Sequence, residues 1–369
     1  MNIKRKIAHG FRWFMPYGIV RWYERRKESQ TESFWTDYLT YLHAGEFCEF
    51  AKESPVKYVV SPIGLGYSGS GAVVDLLREY KTTVVIAGVD KVGSLATQKE
   101  HSLEVDFLRV AGGLFEFEKY LDSHNFLEKD ALLHRFMLLI QYSELYIKVP
   151  ETRKYFYEFF RHICVYFGEN KYQVNWHLNY DGIKQILYMK QMSVEEYRSL
   201  CRHLLYSIFS CFKVKKNDWL ILDALVGDQS YNYSKYVDYI PNIKPILVYR
   251  DPRDVYAFAV EQDIDFIPTS TVDNFIRWYQ LQYSHLDVSK VPGFYVTSFE
   301  KLIREYDATV AEIEKFLHLD STSHVLVKQK FDPAVSAKGV GIWKNHPELS
   351  NDMKKIESTL TNFIYYKNE

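Results

Sequence analysis

Two groups of residues in this sequence have the types and spacing to bind anions. The first is Gly64-Leu65-Gly66-Tyr67-Ser68-Gly69-Ser70-Gly71. Glycines let the backbone approach a phosphate-like group with no Cβ in the way. Successive N–H groups leading into a helix point their donors at such a group. Ser68 and Ser70 add hydroxyl donors. The second group is Arg250-Asp251-Pro252-Arg253-Asp254-Val255, whose two arginines offer planar forks to a phosphate. An isolated Arg-Asp-Pro turn reads as a structural ion pair, and it gains meaning here from lying downstream of an anion-binding loop.

These residues need elements to hold them. Val56–Val60 is an apolar, β-branched run of the kind that forms a buried strand, and Ala72, Val73, Leu76 and Leu77 repeat at helical spacing. The glycine loop therefore joins a strand to a helix. Ile246–Tyr249 predicts a second buried strand with Arg250 at its C-terminal end, where open α/β sheets bind ligands. Pro252 suits the first turn of the helix after it. Strands are expected near 56–60, 83–87, 219–223, 245–249 and 293–297, with 346–369 a helical tail. The predicted fold class is α/β: one parallel sheet with helices on both faces and a large helical insertion at about 100–215, all within a single domain over 50–369. In that insertion Leu132, Phe136, Leu139 and Tyr142 read as a core stripe.

Other loop chemistries fit less well. A Walker A loop needs Lys after Gly69, where Ser70 stands. The string Gly64 to Gly69 matches G-x-G-x-x-G, and Asp90 keeps a dinucleotide reading open. Trp219–Asp223 resembles a Walker B strand, but without the Walker A lysine it reads as a central sheet strand. A P-loop kinase or NTPase, and a non-catalytic nucleotide-binding module, remain as alternatives.

Taken together the chain resembles the P-loop sulfotransferases, which use 3′-phosphoadenosine 5′-phosphosulfate (PAPS). Tyr67-Ser68-Gly69-Ser70-Gly71 is similar to that family's basic residue, Ser-Gly and two small residues, and Arg250-Asp251-Pro252-Arg253 to its second element. The stretch 295–319 resembles its strand, acidic turn and helix ending in Phe-Leu, and 336–344 its C-terminal Lys-Gly loop before Gly-x-Trp-Lys. The resemblance implies a sulfotransferase-like fold and a transferase acting on a hydroxyl, with PAPS as donor, adenosine 3′,5′-bisphosphate as product, and no metal. It implies that Gly66, Tyr67, Ser68, Gly69, Ser70, Gly71 and Ala72 hold the 5′-phosphosulfate. Arg250, Lys338 and Gly339 would reach the 3′-phosphate, and Arg253 is a further cofactor-binding candidate.

Two positions depart from the family pattern. Tyr67 stands where Lys or Arg is usual, and a hydroxyl is a weaker charge stabiliser than a positioned cation. Lys91, Arg253 and Lys344 are the candidate substitutes. Phe258 stands where the family usually has Ser. Transfer also needs a general base at the acceptor hydroxyl. The resemblance looks for a Glu or His between the two anion elements, and Glu104 and then Asp106 are the candidates, with His101 beside them. His124, His134, His162 and His177 read as surface or satisfied core residues.

Composition bounds the rest. At 369 residues with 47% hydrophobic and 25% charged residues, the chain is an ordinary globular one, not a disordered one. A net charge of −1 gives no chain-wide basic field for nucleic acid. Residues 1–30 form a separate arm whose first 27 positions carry eight basic residues against Glu24, interleaved with Phe11, Trp13, Phe14, Tyr17, Trp22 and Tyr23. Such a mixture suits either packing on the body of the protein or peripheral contact with an anionic membrane. No run approaches the ~18 apolar residues of a membrane span. The expected location is cytoplasmic, at the inner face of the membrane if the arm binds there. Cys48, Cys164, Cys201 and Cys211 match no zinc template and read as reduced thiols. A carbohydrate acceptor, such as a bacterial surface polysaccharide or its precursor, is suggested by the arm and by an aromatic content of 17%.

Overall fold

The computed structural model describes residues 34, 36–64, 66–86, 103–121, 126–169, 185–223, 225, 233–283 and 293–365. Its strands are β1 (Tyr58–Ile63), β2 (Thr83–Ile86), β3 (Cys164–Glu169), β4 (Gln185–Met189), β5 (Trp219–Leu222), β6 (Ile243–Tyr249) and β7 (Tyr295–Ser298). Contacts divide the chain into two units, Met1–Glu49 with Tyr120–Gln191, and Phe50–Lys119 with Met192–Glu369.

The second unit contains a five-stranded sheet in the order β2-β5-β1-β6-β7, parallel at every pairing. All five strands expected from the sequence are present. Neighbouring residues Val59 and Val60, Leu220 and Ile221, and Ile246 and Leu247 are all buried, so both faces of the sheet are covered, as parallel sheets require. On one face Val60, Ile221, Ile246 and Val248 pack with Val73, Leu76 and Leu77 of the helix Ser70–Leu77 and with Ile313 and Leu317 of the helix Tyr306–Leu317.

The topology fixes where a ligand can go. The chain leaving β1 crosses to β2, beyond β5, whereas the chain leaving β6 crosses the opposite way to β7. Between β1 and β6 the crossovers diverge, and a crevice opens at the C-terminal ends of the two strands. Register then aligns the segments that leave these ends. Ile63 pairs with Leu247 and Tyr249 with Ser298, so the glycine loop, Arg250 and Phe299 all emerge at the same edge.

A buried carboxylate ties the C-terminal segment to this unit. Glu79, fully buried, accepts from His324 Nε2 at 2.6 Å and from the backbone N–H groups of Lys328, Lys330 and Phe331 at 3.1, 2.9 and 3.0 Å. The segment so held leads directly into 336–344.

The first unit packs the helices Phe126–Gln141, Glu144–Lys148 and Arg153–Ile163 with an antiparallel β3–β4 hairpin. The helical reading of 100–215 missed this hairpin. The buried stripe of Phe126–Gln141 is Leu133, Phe136, Met137 and Ile140, so of the four expected residues only Phe136 is fully inside. Phe34, Phe159 and Phe160 are buried there as well, with edge-on contacts such as Phe34–Phe160 at 5.8 Å. Much of the aromatic excess therefore belongs to the core. The cysteines are free thiols, and burial pushes the Cys164 thiol up to about 12. Among the described residues no helix is long and apolar enough to cross a membrane. Residues 1–30, Asp90, Lys91 and His101 lie outside the described residues.

Candidate functional site

The glycine loop is built by close approach. At Gly64 a Cβ would come within 1.8 Å of Ser68 Oγ and 2.9 Å of the Val248 carbonyl, so the loop folds back over its own first residue. Ser68 is buried, and its hydroxyl has no hydrogen-bond partner among the described residues. Gly69 caps the helix Ser70–Leu77 from the left-handed region, with φ +95°, and no side chain caps the helix N–H groups. Ser70 and Ala72 are half-buried and Gly71 is exposed, on the first turn of that helix. The loop therefore presents a helix N-terminus and an unpartnered buried hydroxyl at the switch point.

Gly69 is also tightly covered, because a Cβ there would meet the Phe299 ring at 2.5 Å. Gly69→Ala is expected to destabilise the protein by about 2 kcal/mol or more, combining left-handed strain with overpacking. Urea unfolding checks this, and a loss under ~0.5 kcal/mol, the scale of a neutral surface change, would contradict the loop geometry.

Arg250 closes the site from the other side. It is only 7% exposed, and its Nη1 donates to the Tyr67 carbonyl at 3.1 Å while its Nη2 donates to the Gly339 carbonyl. Its guanidinium lies 5.1 Å from the Phe299 ring centroid, and its Nε has no partner among the described residues. Burial lowers its pKa, and Asp254, Glu300 and Asp251 oppose that effect. One side chain thus joins the glycine loop to the C-terminal Lys-Gly loop, which is 89 residues away in sequence. Gly339 is in contact with the same arginine and with Phe299, and Lys338 beside it is exposed.

Arg253 is placed differently from Arg250. Its Nε and Nη2 donate to the Asp251 carboxylate at 3.0 and 2.8 Å, its Nη1 reaches Glu357 at 3.2 Å, and its guanidinium lies 4.3 Å from the Trp343 ring centroid. The fork expected on a phosphate is engaged in holding the turn. The cause is local: Asp251 caps the helix Pro252–Gln262 by accepting from the Arg253 N–H, which draws the Arg253 side chain onto the same carboxylate. Asp254 supplies the next tie, accepting from Gly341 N at 2.8 Å and Trp343 N at 3.1 Å. The Arg-Asp-Pro-Arg-Asp segment and the 336–344 loop are therefore one assembly.

Two residues that sequence reasoning missed complete it. Phe299 is the surface against which Gly69, Gly339 and Arg250 all rest. Glu300 is fully buried and accepts from Asp251 N at 2.9 Å through Oε1, and its Oε2 has no partner among the described residues. Burial pushes its carboxyl up to about 7, with the charges of Asp251 and Asp254 adding to the rise. Below about pH 4.5 Glu300 is protonated both folded and unfolded. As the pH rises from there to about 7 the unfolded chain releases the proton first, so stability declines across that window. Glu300→Gln keeps the acceptor and removes the charge, so its decline between pH 5 and pH 8 in urea unfolding is expected to be smaller than that of the parent. Equal declines would overturn this assignment.

Tyr67 and Phe258, the two departures, are in contact. Their ring centroids are 4.7 Å apart, and Phe266 stacks on Tyr67 at 5.9 Å with an interplanar angle of 11°. Of the cations considered for the Tyr67 position, Arg253 is engaged with Asp251, and Lys344 Nζ lies 5.8 Å from the Trp343 ring centroid. Glu104 and Asp106 stand in the first turn of the helix Leu103–Lys119, and their side chains lie outside the described residues. Among the described residues no cluster of three or more His, Cys, Asp or Glu gathers as a metal site would.

No protein-family model matches the chain, and no curated protein matches it. Among solved structures it is similar to the sulfotransferase domain of the Synechococcus PCC 7002 olefin synthase, at 11% identity and a TM-score of 0.41, over 87% of this chain and 100% of that one. It is also similar to the sulfotransferase STF1 of Mycobacterium tuberculosis H37Rv, at 12% identity and a TM-score of 0.38, over 90% of this chain and 81% of that one. A third is the sulfotransferase STF9 of Mycobacterium avium, at 11% identity and a TM-score of 0.35, over 88% and 81%. Likeness at these values decides nothing about the chemistry, which is argued from this chain's own residues.

Proposed function

We propose that the chain is a sulfotransferase that uses PAPS and modifies a hydroxyl of a carbohydrate acceptor. The observation that carries this reading is Arg250, buried and bonded to carbonyls of both the glycine loop and the Lys-Gly loop. A nucleotide with a 5′- and a 3′-phosphate needs two anion sites that are close in space yet distinct. Ser68 Oγ and Arg250 Nε are buried donors without partners among the described residues, one in each, and both fit an anionic group. The bound donor would supply the sulfuryl group. Ser68, Gly69, Ser70 and Gly71 would hold its 5′ end through backbone and hydroxyl donors, and Arg250, Lys338 and Gly339 its 3′ end. Catalysis would come from alignment and from donors fixed before the reaction. Glu104 or Asp106 would take the proton from the acceptor hydroxyl.

Thermal unfolding with adenosine 3′,5′-bisphosphate, ATP–Mg²⁺ or NAD separates this from its rivals. A ligand at about 100 times its Kd adds roughly 2.7 kcal/mol to stability. A shift with the bisphosphate alone supports the reading, and a Mg²⁺-dependent shift with ATP would replace it with the NTPase alternative. Incorporation of radiolabelled sulfate from PAPS into a glycan, lost in Glu104→Gln or Asp106→Asn with bisphosphate binding intact, supports the catalytic assignment. Binding without incorporation would favour a non-catalytic nucleotide-binding module, for which Tyr67 in place of a cation is the structural argument.

The basic aromatic arm would meet an anionic membrane from the cytoplasmic side. Sedimentation with phosphatidylserine vesicles tests this, and equal binding by the full chain and a chain lacking residues 1–27 would refute it.

A further inference from the structure

Tyr67, Phe258 and Phe266 lie beside the glycine loop, and nothing in the anion-binding assignment uses their rings. Tyr67 adopts φ +65°, in the left-handed region that disfavours a non-glycine residue. Its carbonyl is held by Arg250 and its ring lies against Phe258 and Phe266, yet the residue is 42% exposed. Phe266 is 60% exposed but is not a dangling side chain. Its ring occupies the space of a Cβ at Gly66, which would lie 2.4 Å away, and the adjoining Ile267 is buried at 2% exposure. The turn after the helix Pro252–Gln262 therefore sets the Cδ2–Cε2–Cζ side of the Phe266 ring against the loop while much of the side chain stays exposed.

Two exposed aromatic rings, stacked at an interplanar angle of 11° and backed by Phe258, make an apolar surface with a direction. It adjoins the loop proposed to hold the reacting end of the donor. An acceptor hydroxyl must come within about 3–3.5 Å of the reacting atom, and Tyr67 belongs to the loop proposed to hold that atom. Where the family resemblance leads one to expect a cation and a hydroxyl, this chain has placed two rings in mutual contact.

We propose that Tyr67, Phe258 and Phe266 form an acceptor platform that takes a cyclic alcohol by stacking against its flat apolar face. This rests on the reading of the glycine loop as the donor's anion site. The shared chemistry is a rigid ring carrying a hydroxyl, whether the C–H face of a pyranose or an aromatic alcohol. An open-chain polyol lacks that face and gains little from the platform.

Saturation-transfer NMR on the full chain, with adenosine 3′,5′-bisphosphate present, tests this with methyl β-D-glucopyranoside, 4-nitrophenol and glycerol as probes. At least one cyclic probe is expected to receive saturation while glycerol does not. Phe266→Ala should weaken that binding about five- to tenfold, the scale of one aromatic contact, and Phe266→Tyr should restore it. A response from the sugar alone selects a pyranose acceptor, and one from the phenol alone an aromatic alcohol. No response from either cyclic probe, a response equal to glycerol's, or one unchanged in Phe266→Ala overturns the platform. Calorimetric titration of the bisphosphate into the same samples keeps the two claims apart. Ring binding without bisphosphate binding would sink the donor assignment and leave the platform standing.

Discussion

Arg250→Ala is expected to weaken binding of adenosine 3′,5′-bisphosphate by about 100-fold. A hydrogen bond to a charged group contributes about 1.5–3 kcal/mol and each 1.4 kcal/mol is tenfold, so losing the contact through Nε alone removes roughly ten- to 100-fold. The guanidinium also positions the loops by bonding Tyr67 O and Gly339 O, so the variant loses the contact and the arrangement together. Arg250→Lys retains a charge but not the fork, and should recover only a minor part of the affinity. Titration calorimetry measures both variants. Affinity within about threefold of the parent in Arg250→Ala, a difference under ~0.7 kcal/mol, would remove Arg250 from the binding site.

Glu79→Ala is expected to have the largest effect on stability, about 3–5 kcal/mol, the range for breaking a buried charged network by removing one member. Three backbone N–H groups and a histidine converge on this buried carboxylate, and alanine would remove the acceptor that all four share. The consequence reaches the site, because the segment from His324 to Phe331 sets the start of the loop that carries Lys338 and Gly339. Glu79→Gln keeps one acceptor oxygen and should lose less. Urea denaturation measures each variant, and a loss below ~1 kcal/mol in Glu79→Ala would show that the segment is held by other contacts.

The parts of this site legible in the sequence are those encoded over a few neighbouring residues. The β-branched runs mark β1 and β6, the glycines mark the loop, and Arg250 comes directly after the end of its strand. Residues whose role depends on register between distant strands were not legible. Phe299 looks like any apolar residue at a helix start until Tyr249 pairs with Ser298 and brings it beneath Arg250. Nothing adjacent in sequence marks Glu79 or Glu300 as buried, because their donors arrive from segments far along the chain. Arg250 and Arg253 share one motif, and the capping role of Asp251 decides that only the first faces both loops. The departures at Tyr67 and Phe258 were visible singly, but their contact was not, since a helix and a loop supply one ring each. The β3–β4 hairpin was hidden by strong helical periodicity on either side of it.

The most direct test is a crystal structure of the full chain grown with adenosine 3′,5′-bisphosphate. The account predicts one bound molecule, its 5′-phosphate against Ser68–Gly71 and its 3′-phosphate against Arg250 and Lys338. A molecule bound elsewhere, or one touching a single loop with its other phosphate in solvent, would contradict it.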